Sequence, residues 1–168
     1  MNKIWEKWTE HYKNLKIDLD RICKDGIINA DEFNKTEPKI LFILKETTEF
    51  AGGDLRQLFR ERVYGVGKML ARWTVGILDK FPTYNKVKTM ADDQLKNYLN
   101  RTAVINLKNV TGESRADRPI INAYAHQDKD PLQEQIDSIC KKSKKPSIIV
   151  ACGIGIMDSL VWLLDLEE

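Results

Sequence analysis

Cysteine is scarce in this chain. The three present, Cys23, Cys140 and Cys152, are odd in number and show neither CxxC nor metal-ligand spacing. That excludes a disulfide framework, a zinc ribbon and a four-cysteine cluster, and leaves Cys23 and Cys152 as small apolar groups suited to burial. Histidine is scarcer, with only His11 and His126, and no Walker, HExxH, GxSxG or EF-hand spacing occurs. No apolar run approaches the roughly 18 residues that a membrane helix needs. The start, Asn2-Lys3-Ile4-Trp5-Glu6, is not the basic-then-apolar pattern of a signal peptide, so a cytoplasmic protein without membrane contact is expected. Neither sign of charge dominates: 27 basic residues face 25 acidic ones, which permits nucleic-acid contact without demanding it. Internal repeats and low-complexity segments are also missing.

What is present fits one globular α/β domain spanning 1–168, since 168 residues that are 42% hydrophobic and 31% charged make about one ordinary core. Ile4, Trp5, Trp8, Tyr12, Leu15, Leu19 and Ile22 recur at three- and four-residue spacing. The spacing predicts an N-terminal amphipathic helix within residues 1–25, packed on the domain and ending at Lys24-Asp25-Gly26. Lys39-Ile-Leu-Phe-Ile-Leu-Lys45 holds five consecutive apolar residues and reads as a central strand. Gly52-Gly53-Asp54 then predicts a tight loop, with Asp54 capping a helix. Leu55 to Leu78 reads as helical with a break near Gly65 and Gly67, Phe81-Pro82-Thr83 as a turn, and Met90 to Leu99 as a short helix.

Two further runs, Ala103-Val-Ile-Asn-Leu-Lys-Asn109 and Ser147-Ile-Ile-Val-Ala-Cys-Gly153, are too apolar for half-exposed antiparallel strands. Between them lie a polar loop, Thr111 to Pro119, and a helix from Pro131 to Cys140 with Asp130 as its cap. The link is long enough for a crossover, so these strands are expected to run parallel inside a helix-covered sheet. A last helix covers Ile156 to Leu166. The predicted fold is a three-layer α/β/α arrangement with a short parallel central sheet. Three strands make it narrow and the last helix has no strand to return to, so a fourth strand is expected to lie beyond the sequence or to have been lost.

Ligands of such sheets sit beyond the carboxyl ends of the strands, which singles out Asn106, Lys108, Asn109 and Gly153. Cys152-Gly153-Ile154-Gly155 is a partial glycine-rich turn whose helix amides suit a phosphate, but Asp158 stands where a dinucleotide fingerprint has its third glycine. Two basic clusters, Arg56-Arg60-Arg62-Lys68-Arg72 and Lys141-Lys142-Lys144-Lys145, are either solvated faces or phosphate contacts.

From Ala103 to Gly153 the chain reads Val-Ile-Asn-Leu-Lys-Asn-Val, then Gly-Glu-Ser-Arg-Ala-Asp-Arg-Pro, then Leu-Gln-Glu-Gln-Ile, then Lys-Pro-Ser-Ile-Ile-Val-Ala-Cys-Gly. This order, within a stretch from about Lys39 to Leu164, resembles the uracil-DNA glycosylase superfamily. The resemblance implies a protein that holds an unstacked base of nucleic acid, DNA rather than RNA, or a free nucleobase, and hydrolyses the N-glycosidic bond of a damaged base without cofactor or metal. Asn106 matches by position the asparagine that reads the pyrimidine, its amide offering a donor and an acceptor side by side; alternatively it bonds backbone at a strand end. Phe50 or Phe59 stacks on the base or belongs to the core. Glu46 orients water as general base, or forms a surface pair with Lys45. Thr47 lines the same mouth, Lys108 and Gly153 add contacts at the strand tips, and Arg56, Arg60 and Arg115 reach phosphates.

The chain departs from the superfamily in two places. Leu44-Lys45-Glu46-Thr47-Thr48 stands where that group has Gly, a polar residue and Pro. Its His-containing second motif has no counterpart, since His11 belongs at the solvent edge of the first helix and His126 in an exposed polar stretch before Pro131. Three functions stay open: a glycosylase-type hydrolase, a non-catalytic nucleic-acid or protein interaction domain, and a nucleotide or nucleoside enzyme built on the turn at Gly153.

Overall fold

The computed structural model describes residues 2–48, 50, 52–112, 116–140 and 148–164. Among them a mostly parallel sheet is sandwiched between two helical layers, the three-layer α/β/α architecture expected. The sheet holds β1 (Gly26–Ile27), β2 (Ile40–Thr48), β3 (Ala103–Gly112) and β4 (Ile148–Ala151), in the order β1-β3-β2-β4. β2 runs parallel to both β3 and β4, with Leu41 opposite Ala103 and Ile149. The three apolar runs thus lie side by side in one direction, because strands buried on both faces need no polar alternation.

Alternate residues of β2 feed two separate cores. Leu41 and Ile43 face one core with Ala103 and Ile105, under α1 (Asn2–Asn14), α7 (Arg118–Gln127), α8 (Lys129–Cys140) and α9 (Ile156–Leu163). Ile40, Phe42 and Leu44 face the other with Val104, under α3 (Leu55–Glu61), α4 (Val66–Leu78), α5 (Tyr84–Lys88) and α6 (Asp92–Leu99). None of the helices among the described residues is long and apolar enough to cross a membrane.

Several local expectations hold. Asp54 caps α3 by accepting the Arg56 amide, and the long helical stretch breaks between α3 and α4, where Gly65 takes a φ of 51°. Others need correction. The N-terminal helix stops at Asn14 rather than near Lys24. Lys16 turns into the left-handed region at φ 57°, and the amides of Lys16 and Ile17 bond back to the carbonyls of Lys13 and Tyr12. That pairing closes a helix end without glycine. Leu19 and Ile22 therefore belong to a 3₁₀ turn (Leu19–Arg21) and its exit, not to α1.

The chain then forms a strand that was not expected. β1 pairs antiparallel with β3, Gly26 opposite Val104, so the fourth strand comes from before β2 and sits on the far edge of β3. The polar loop after β3 is shorter than predicted. β3 extends to Gly112, and Asp117 caps α7 by accepting the Ile120 amide, with Pro119 in the first turn. α7 also takes in His126, expected in an irregular stretch; its ring lies 3.9 Å from that of Trp162. α8 starts at Lys129, ahead of the predicted cap, and α5 was not anticipated. Arg115 and the lysines at 141–145 lie outside the described residues.

α2 (Ala30–Lys35) leads into β2 through an unusual stop. The buried Lys39 ammonium donates to the carbonyls of Phe33, Asn34 and Thr36 at 2.8, 3.0 and 2.6 Å. A cation here satisfies the orphan carbonyls of the helix end and complements its dipole. Lys39→Met is expected to lower stability by about 2 kcal/mol, since three carbonyl acceptors, that of Phe33 buried, lose their donor. Urea unfolding followed by circular dichroism measures it, and a midpoint equal to wild type contradicts this account.

Candidate functional site

At the carboxyl end of the sheet, on the α3–α4 side, lies a cavity of about 370 Å³. Leu44 and Asn106 line it from β2 and β3, Glu46 and Thr47 from the end of β2, Phe50 from the following loop, and Phe59 from α3. The structure thus brings together five residues chosen from the sequence: Glu46, Thr47, Phe50, Phe59 and Asn106. Tyr64, also in the wall and half exposed, was not among them. It follows α3 in a stretch without periodicity, and the one local signal is Arg62, whose guanidinium stands 5.4 Å from the Tyr64 ring.

Asn106 is not at a strand end. It pairs with Leu44 inside the ladder and is 0% exposed. Its backbone N–H donates to Asp25 Oδ2 at 2.7 Å and its side-chain Nδ2 to the same oxygen at 3.1 Å. Its Oδ1 has no partner among the described residues. A buried amide oxygen left open in this way is costly without a bond. The Asn106 amide therefore keeps one uncommitted donor hydrogen on Nδ2 and its Oδ1 as an acceptor.

Asp25 is a site residue that sequence reading missed, having passed as part of a helix end. It occupies the edge of β3 just beyond the β1 pairing, where its carboxylate takes the place of a strand partner. Gln135 Nε2 donates to its other oxygen at 2.8 Å, and Gln135 Oε1 accepts from the Trp8 indole at 2.9 Å. Burial pushes the Asp25 carboxyl up to about 7, against the pull of the Asn106 and Gln135 bonds and the Arg56 charge.

Glu46 is paired, but not with Lys45. Its carboxylate meets the Lys108 ammonium, with side-chain exposures of only 4% and 7%. Beyond Lys108 the strands shift register: Glu46 faces Lys108, Thr48 faces Gly112, and four residues of β3 span two of β2. The Glu46 carboxylate occupies the space that a side chain at Gly112 would fill, just as the Phe50 ring does at Gly53. The pair divides the Asn106 cavity from a second one of about 340 Å³, lined by Arg21, Thr111, Asp117 and Tyr124, because Glu46 lines both. Thr111 Oγ1 donates to the Phe50 carbonyl at 2.8 Å and so ties the loop after β2 to the β3 tip.

The remaining candidates sit apart from the Asn106 cavity. Arg56 grips Asp54 through Nε and NH2 at 2.8 and 2.6 Å, and Arg60 donates to the Ile28 carbonyl at 3.0 Å. Gly153, at φ 141°, follows β4 and lies beside Lys45. Asn109 is buried, its amide atoms without partners among the described residues, and it does not line this cavity. Burial raises the Cys152 thiol to about 11 and that of Cys23 to about 12, so neither is a thiolate near neutrality. Among the described residues no group of three or more His, Cys, Asp or Glu is placed to hold a metal.

Two outcomes follow. Lys108→Met strands a buried carboxylate and should cost about 3 kcal/mol, whereas the double change with Glu46→Leu should recover much of that loss; equal losses in urea titrations would contradict the burial of the pair. Asp25 binds its proton more tightly folded than unfolded, where its ordinary value is 3.8. Its contribution to stability is present below pH 3.8 and is lost as pH rises toward about 7. The stability of wild type relative to Asp25→Asn should therefore fall across that window, and a flat difference in unfolding free energy would show Asp25 to be solvated. Compared with known proteins, the chain matches no family model, no curated protein and no solved structure.

Proposed function

We propose that this chain is a uracil-DNA glycosylase-like protein that takes an unstacked base of DNA into the cavity beneath Asn106. The observation that carries the reading is a cavity walled by Phe50, Phe59 and Tyr64 and bordered by Asn106, whose buried Oδ1 has no partner among the described residues. A flat heterocycle with a ring N–H satisfies that oxygen, and aromatic walls suit its faces. A volume of about 370 Å³ accommodates one base with its sugar outside. In the hydrolytic form of this reading Glu46, the one carboxylate of the wall among the described residues, orients water toward the sugar C1′ carbon. Arg56, Arg60 and Arg115 are the proposed phosphate contacts.

A second reading, base binding without cleavage, is favoured by the Glu46–Lys108 pair, which engages the carboxylate that would activate water. It is favoured too by the cavity wall, which among the described residues contains no histidine to stabilise a departing base. An excision assay on single- and double-stranded uracil DNA, run beside a binding titration, separates the two. The hydrolase predicts base release that falls about a hundredfold in Glu46→Gln and about tenfold in Asn106→Leu. The binding protein predicts no release, with affinity weakened about tenfold by Asn106→Leu alone. Release or binding indifferent to both changes would remove the site assignment.

A further inference from the structure

A groove of about 500 Å³ is lined from α4, α5, the turn between them and β4, and among the described residues it shares no lining residue with the Asn106 cavity. Its walls are chiefly apolar, with Met69 and Ile77 of α4, Val87 of α5 and Val150 of β4. Three aromatic rings complete them. Trp73 leans on the core ring of Phe42, 6.3 Å between centroids, and is still 40% exposed, while Phe81 and Tyr84 are 79% and 66% exposed. Lys80 and Phe81 both take positive φ, 58° and 56°, and the Phe81 amide donates to the Gly76 carbonyl at 2.7 Å. A bulky residue rarely adopts that backbone, and burial of the ring does not offset it here. The turn thus holds an aromatic wall up to solvent.

Arg72 of α4 is the one charged residue in this lining among the described residues, and no carboxylate joins it. Its guanidinium makes no hydrogen bond or ion pair with the described residues. Nε is shut off from solvent, whereas the terminal nitrogens are not, and those are the donors that a ligand meets. Other cations nearby are already matched: Arg56 holds Asp54, and Lys68, one turn earlier on α4, holds Asp92. An unmatched guanidinium beside an apolar surface attracts an anion, and its parallel N–H groups fit the two oxygens of a carboxylate. A nucleotide would instead set its sugar hydroxyls against apolar walls that give them no partner. Flat rings suit the exposed faces of Trp73, Phe81 and Tyr84.

We propose that this groove binds a hydrophobic aromatic carboxylate, with the ring system against Trp73, Phe81 and Tyr84 and the carboxylate on Arg72. Sites for small molecules run from about 300 to 1,000 Å³ and share this make-up, apolar walls with a few polar groups that fix orientation. The inference does not rest on the base-binding reading, since it concerns a separate part of the fold.

Titration calorimetry of the full chain with naphthoate, its neutral counterpart naphthamide and adenosine monophosphate, at about pH 7 where the carboxylate is ionised, tests the assignment. Naphthoate is expected to bind about tenfold more tightly than naphthamide, because only naphthoate makes charge-assisted bonds to Arg72. Arg72→Met should bring that ratio to about one by weakening naphthoate alone, whereas Trp73→Ala should weaken both ligands. Lys68→Met removes a cation from the same helix but not from the groove, and should leave the ratio intact. If Arg72→Met does not fold, the wild-type ratio decides alone, and equal affinities overturn the proposal. Absence of naphthoate binding, a preference surviving in folded Arg72→Met, or adenosine monophosphate bound more tightly than naphthoate also overturns it. So does a dimer in sedimentation that Trp73→Ala splits, which assigns the groove to a second copy of the chain.

Discussion

A carboxylate removed from water must find its donors inside the protein, and Asp25 finds three: the Asn106 backbone, the Asn106 side chain and Gln135. Those bonds join parts of the chain far apart in sequence. The edge of β3, helix α8 and, through Trp8, helix α1 meet on one group that is 1% exposed. In a low-dielectric interior a network of this kind either closes completely or becomes a liability. Here it closes, apart from one oxygen, and that oxygen belongs to the residue in the cavity floor. The attachment of α1 to the domain and the orientation of the candidate ligand contact therefore share a cause.

The carboxyl end of the sheet obeys a related constraint. Glu46 and Lys108 leave two parallel strands at the same level and are almost fully desolvated. Neither charge is tolerable alone at that depth, so each supplies the other's counterion. Past Lys108 the extra residues of β3 shift its register against β2, and Thr111 fastens the Phe50 loop to it. The pocket wall mixes polar and apolar atoms, and Glu46, the charged residue among its described lining, is already paired with Lys108.

The apolar runs at 40–44, 103–107 and 148–151 were legible because strands covered on both faces leave a continuous hydrophobic signal. The turn chemistry of Gly52-Gly53-Asp54 was legible too, since an Asp before a helical pattern has one obvious use. The end of α1 was not. Lys16 adopts a conformation that its residue type does not advertise, and the periodicity of Leu19 and Ile22 continues past it. β1 escaped notice because two residues carry no period, and its existence depends on β3 having an unpaired edge. Of the site, Glu46, Thr47 and Phe50 could be picked from their place after an apolar run, and Asn106 and Phe59 through the superfamily resemblance, whereas Asp25 and Tyr64 could not.

Sequence alone determined the layering, because the spacing of apolar residues dictates which faces must be covered and how many covers are needed. It also directed the search for candidate residues to the carboxyl ends of β2 and β3, since parallel strands deliver their loops to one end. Tertiary structure decided the partners: that Glu46 meets Lys108 rather than Lys45, that Arg56 grips Asp54, and that Asp25 holds Asn106. Pairing of charges and amides depends on distance and on exclusion of water, and both arise only when segments remote in the chain are packed against each other.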